Sequence, residues 1–107
     1  MSQHSDFCDA VEQGRFEAAL SLIGGALRGL DSTASALVDQ ERQIAALARW
    51  LTDRPCVRGV SVVDGVQKRL PPQKIVTVEI AGQGSVRSFQ LKLSMGSRVE
   101  IVSFEPL

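Results

Sequence analysis

The chain has 107 residues, 44% of them hydrophobic, and its twelve basic residues balance its twelve acidic ones. That length fits one domain, residues 1–107, able to bury roughly 60 to 70% of the surface its unfolded form exposes. Zero net charge supplies no global field for nucleic acid or an anionic membrane, and no apolar run is long enough for a membrane span.

The opening "MSQHSDFCDAVEQG" lacks the cationic start and apolar run of a secretory signal, so a cytoplasmic protein is expected. Phe7, Ala10 and Val11 predict a short helix from about Asp6 to Gln13, ended by a turn at Gly14. Phe16, Leu20, Ile23, Leu27 and Leu30 follow at spacings of four and three, one stripe of a second helix. The pair Gly24-Gly25 should weaken that helix or end it early, since each glycine costs a helix interior about 1 kcal/mol relative to alanine, and it is read as marking a close backbone contact or a kink, with packing the favoured cause. A third helix is expected from a cap at Asp31 or Ser32 to about Thr52, stopped by Asp53-Arg54-Pro55.

From residue 56 to about 105 the periodicity changes from helix to strand. "KIVTVEIA" and "VRSFQLKL" alternate, which places Val76, Val78, Ile80, Phe89, Leu91 and Leu93 on one side of a sheet. "SRVEIVSF" loses its alternation at Val102, the sign of a bulge or an edge. "VRGVSVV" does not alternate cleanly and suits a strand that is central or buried on both faces. The short links "GQGS" and "SMGS" make the order an antiparallel meander. Between the first two strands, "VDGVQKRLPPQK" reads as a connection: its prolines end pairing, and its charges, Lys68 and Arg69 among them, lack the PxxP spacing of a recognised ligand. A recognition loop is the competing reading. The expected fold is α+β, with helices of about residues 6–52 packed on one face of a four- or five-stranded antiparallel sheet.

Catalytic chemistry finds few parts. The one histidine, His4, is terminal, and with Cys8 it makes only half of a zinc site; no phosphate loop, dinucleotide fingerprint or nucleophile elbow is present. No metal and no cofactor are expected. Cys8 and Cys56, without a CxxC, are read as two reduced thiols rather than a disulfide. Glu41 lies about 40° from Leu37 around the helix, on the face expected to be buried, which makes it a candidate polar contact in a ligand pocket; the competing reading is a narrower stripe, with Glu41 leaning to a groove where an arginine meets it. Trp50, on the far side of that helix, either packs on the first two helices or anchors an interface. The wet sheet face is expected to carry Thr77, Glu79, Gln90, Lys92, Arg98 and Glu100, a mixed-charge surface suited to solvent or a dimer interface.

"VEQGRFEAALSLI" resembles one helix-turn-helix of the tetratricopeptide type, with Gly14 at the turn and Phe16 two residues later. Helices followed by a curled meander also resemble the layout of cystatin-like and NTF2-like domains, a likeness that implies architecture and carries no site. The resulting expectation is a small non-enzymatic interaction or accessory protein, homodimeric or bound to another protein through its sheet. Its rival is a small-molecule binder or minor enzyme with a pocket at Glu41.

Overall fold

The computed structural model describes residues 6–31, 40–65, 68, 71–82 and 84–107. Three helices, α1 (Asp6–Glu12), α2 (Phe16–Asp31) and α3 (Gln40–Thr52), precede four strands, β1 (Val57–Asp64), β2 (Gln73–Gly82), β3 (Ser85–Met95) and β4 (Val99–Pro106). The strands form one antiparallel sheet in the order β1-β2-β3-β4. The α+β expectation therefore holds, with four strands. The part of the β1–β2 connection placed around Lys68 contains no further strand among the described residues, and Arg69 lies outside them.

Local chemistry sets most element ends. Gly14 takes φ 73°, and Arg15 N–H donates to Ala10 O (2.8 Å) while Gly14 N–H donates to Val11 O (3.0 Å). This glycine-based C-cap satisfies carbonyls that α1 would leave open. At the end of α3, Arg54 N–H reaches Leu51 O and Arg54 Nε reaches Trp50 O, both at 3.0 Å, before Pro55 prevents continuation.

Two helical expectations need correction. Gly24-Gly25 does not stop α2, which runs through both to Asp31. A Cβ on Gly24 would sit 3.4 Å from Arg28 Nη1 and 3.8 Å from Ile101 Cδ1, ordinary contact distances, so α2 passes close to β4 here without the site excluding a side chain. Asp31 consequently ends α2 instead of capping α3, and Ser32 lies outside the described residues.

All three helices lie on one face of the sheet. Ile23 and Leu27 of α2 and Ile44, Leu47 and Leu51 of α3 are buried with Val76, Val78, Ile80, Phe89, Leu91 and Leu93. These are the inward positions of β2 and β3, as the alternation predicts. Aromatic rings tie the layers together: Trp50 meets Phe7 edge-on at 5.8 Å between centroids, Phe7 meets Phe104 at 5.9 Å, Phe104 stacks on Phe89 at 5.5 Å, and Phe89 meets Phe16 at 5.8 Å. One contiguous series thus joins α1, α2 and α3 to β3 and β4.

The cysteine expectation also fails. Cys8 and Cys56 form a disulfide across 48 positions, with Cα atoms 5.8 Å apart. Their separation in sequence hid this, because α1 and the start of β1 become neighbours only after the helices pack. The bond ties the first helix to the residue that precedes the sheet.

Candidate functional site

With the helices on one face, three kinds of surface remain for recognition: the outer face of the sheet, its two edges, and the recesses where helices meet strands.

The register builds the outer face. Thr77 stands opposite Gln90, Glu79 opposite Ser88, and Ile75 opposite Lys92, while Gln90 and Lys92 face Glu105 and Ser103 on β4. The expected residues Thr77, Glu79, Gln90 and Lys92 are therefore brought together, with Glu79 extending toward β1 until its Oε1 lies 3.5 Å from where a Gly59 Cβ would stand. Ser103 Oγ on this face is buried without a hydrogen-bond partner, next to the position where β4 departs from regular pairing.

Glu100 joins that group, because it stands opposite Ser94 between the inward pairs Val99–Met95 and Ile101–Leu93. Arg98 does not: it precedes β4 in the turn after Met95 and, at the strand entry, helps line a groove of about 600 Å³ with Leu20, Gly24, Leu27 and Arg28.

The two edges differ in kind. In β4 the register shifts between Lys92 and Leu93, whose partners are Ser103 and Ile101, so Val102 is the extra residue of a bulge. The loss of alternation at Val102 is thus explained by both suggested causes, since β4 is also an edge. β1 occupies the other edge, contrary to the reading of a central or doubly buried strand. Of its eight residues only Val57 is buried, and Val62 and Val63 are 39% and 54% exposed. Its irregular apolar pattern comes from an inward row, Val60 and Val62, lying beside an outward Val63 that nothing covers.

Backbone polarity completes the β1 edge. Gly65 N–H donates to Gln73 O (2.8 Å), fixing Gly65, Val63 and Ser61 as the residues whose amides and carbonyls face β2. The alternating pattern then turns the amides and carbonyls of Val60, Val62 and Asp64 outward. The strand is bracketed by charge, Arg58 at a bulge near its start and Asp64 at its end. Asp64 Oδ1 accepts a 2.6 Å hydrogen bond from Lys74 Nζ on β2. That hydrogen bond raises the Lys74 pKa above its ordinary 10.5, opposed by partial desolvation and aided by the charges of Asp64 and Glu41.

Glu41 is not the polar floor of a pocket. Its side chain is 85% exposed, with Oε1 3.9 Å from Lys74 Nζ. Among the described residues the buried stripe of α3 is Gln43, Ile44, Leu47 and Leu51, and Glu41 stands off it; Leu37, from which the wheel angle was taken, lies outside them. Gln43 is the buried polar residue that the wheel did not single out. Trp50 follows the packing alternative: half-buried, its ring lies against Phe7 and under the Arg54 guanidinium, 4.4 Å from the ring centroid. Lys68 is exposed, and His4 lies outside the described residues.

A second recess, of about 320 Å³, is lined by the disulfide together with Glu12, Ile80, Arg87 and Phe89. The Arg87 guanidinium lies 5.3 Å from the Phe89 ring centroid, which gives that cation a contact within the fold. Among the described residues no three His, Cys, Asp or Glu side chains are grouped to hold a metal ion, and no helix is long and apolar enough to cross a membrane. The chain matches no family model, no curated protein and no solved structure.

Proposed function

We propose that this protein is a non-enzymatic interaction domain that self-associates through the part of its sheet that the helices leave uncovered. The observation that carries this reading is the one-sided packing: every helix lies on one face, while exposed Val62, Val63 and Val86 stand on the opposite face or at the β1 edge. Exposed apolar strand surface beside open backbone hydrogen-bonding groups favours pairing with another strand. The outer face adds Thr77, Glu79, Gln90 and Lys92, a mixed-sign surface that tolerates water in the free protein and polar contacts in an assembly. The pocket reading loses its support, because Glu41 is exposed and lines neither recess.

The disulfide bears on where such a protein works. The cytoplasmic expectation rested on the opening segment and led to the reading of reduced thiols, whereas a disulfide persists in oxidising compartments. We therefore place the protein in an oxidising environment. Thiol alkylation of protein from its native source, with and without prior reduction, tests this: modification only after reduction is expected, and full labelling without it would contradict it.

Size-exclusion chromatography with light scattering over a range of concentrations tests the self-association. A mass moving from one chain toward two is expected. A strict monomer at the highest soluble concentration would overturn the proposal.

A further inference from the structure

The residues of β1 allow the self-association to be assigned to one edge and one register. We infer that two copies of the chain pair antiparallel through β1, centred on Ser61, to form one continuous eight-stranded sheet. This inference rests on the self-association reading above and names the surface and geometry that it leaves open.

The argument begins with the backbone. Val60, Val62 and Asp64 turn their amides and carbonyls to the open side. A second strand must therefore align these residues with its own outward-facing ones. In an isologous pair each contact occurs twice by symmetry, so the partner positions add to a constant.

Centring on Ser61 places Val60 opposite Val62 of the second copy, which lets these two residues exchange both backbone hydrogen bonds. Ser61 then faces Ser61 of the second copy, Gly59 faces Val63 of the second copy, and Arg58, the extra residue of the bulge just beyond, comes within reach of Asp64 of the second copy at both ends of the ladder. The segment Arg58-Gly-Val-Ser-Val-Val-Asp64 is charge-complementary to itself when reversed. The neighbouring registers of correct parity lose this match. Centring on Val62 sets Val60 against Asp64, and centring on Val60 sets Arg58 against Val62. Each leaves a charge opposite an apolar side chain, an arrangement disfavoured across strands.

The flanking chemistry agrees. Asp64 already accepts from Lys74, and a carboxylate has lone pairs enough for a second cationic donor. Arg58 is exposed and has no ion-pair partner among the described residues. Val62 and Val63 are the apolar area that the pairing would remove from water.

Paired charge reversals test the inference. Arg58→Asp sets like charges opposite each other twice in a homodimer, and Asp64→Arg does the same with opposite sign, so each variant alone should dimerise at least tenfold more weakly than the wild type. An equimolar mixture of the two restores both opposite-charge contacts and should recover a heterodimer. Independently, Ser61→Cys, whose new thiol is the only free one because both native cysteines are paired, should cross-link to itself on mild oxidation. Val86→Cys on β3 should not. A wild-type dimer unaffected by either reversal, a mixture that stays monomeric, or equal cross-linking at both positions would overturn the register while leaving self-association standing. A wild-type monomer would overturn both.

Discussion

The two edge strands of the sheet are each eight residues long and each carry a bulge, yet they meet solvent in different ways. β4 buries Val99 and Phe104, lies against α2, places Val102 in a bulge in mid-strand, and ends with Glu105 and Pro106. Bulges, charges and proline are the means by which edges resist pairing with other chains. β1 buries only Val57, bulges at its start, and then presents Val60-Ser61-Val62-Val63 without charge or proline. One edge is closed to a further strand by its sequence; the other is open and bracketed by opposite charges. β4 buries Val99 and Phe104 and exposes Val102 at its bulge, whereas β1 buries Val57, packs Val60 partly against the core and exposes Val62 and Val63.

The largest consequence concerns stability. Phe104→Ala removes a ring that stacks on Phe89 and meets Phe7 in the interior, and should cost about 3–5 kcal/mol in urea denaturation. The matching truncation on the other edge, Val62→Ala, should change stability by no more than about 0.5 kcal/mol under conditions where the chain is monomeric. Equal losses would remove the contrast between the two edges.

Breaking the Cys8–Cys56 bond should cost about 2–4 kcal/mol, because the link closes a long loop in the unfolded chain. Thermal unfolding with and without reductant, compared with a Cys8→Ser/Cys56→Ser double variant, measures it. The loss belongs to folding of the domain, so the reduced chain should associate normally at temperatures where it remains folded.

Association supplies the next comparison. Val62→Lys places a charge in the middle of the open strand and should weaken dimerisation at least tenfold, about 1.4 kcal/mol. Val102→Lys, at a position of similar exposure (52% against 39%) on the other edge, should leave it unchanged. Analytical ultracentrifugation distinguishes the two results.

The smallest effect is electrostatic. Lys74 is held protonated by Asp64, so its pKa in the fold exceeds the value of 10.5 expected in the unfolded chain. Its contribution is fully present below pH 10.5 and is lost as pH rises through the higher folded value. Lys74→Met should therefore cost about 0.2–1 kcal/mol at neutral pH, and the gap to the wild type should close in strongly alkaline solution. The chain contains no tyrosine, which keeps that pH range free of phenol titration.

Much of the architecture was legible because its causes are local. The period of two in β2 and β3 identified their buried faces, the spacing in α2 its stripe, and Gly14 the turn after α1. The readings that failed depend on what comes to lie alongside. No local signal says that α1 and the start of β1 meet closely enough for a disulfide. The wheel placed Glu41 by angle alone, but the stripe that the fold buries is narrower than that angle allows and leaves Glu41 exposed. The position of β1 was misjudged for a related reason. A run of valines has the same composition in a doubly buried strand and in an exposed edge, and only the pairing order separates them. The reversed charges about Ser61 were visible in the amino-acid string, yet they acquire meaning only once Arg58 and Asp64 are known to bracket an open strand.

Amide hydrogen exchange followed against protein concentration tests the central claim, that β1 is the self-pairing edge, most directly. The amides of Val60, Val62 and Asp64, which face outward in the single chain, should become protected as concentration rises, while protection along β4 stays constant. Concentration-dependent protection of β4 with β1 unchanged, or no change at either edge, would contradict it.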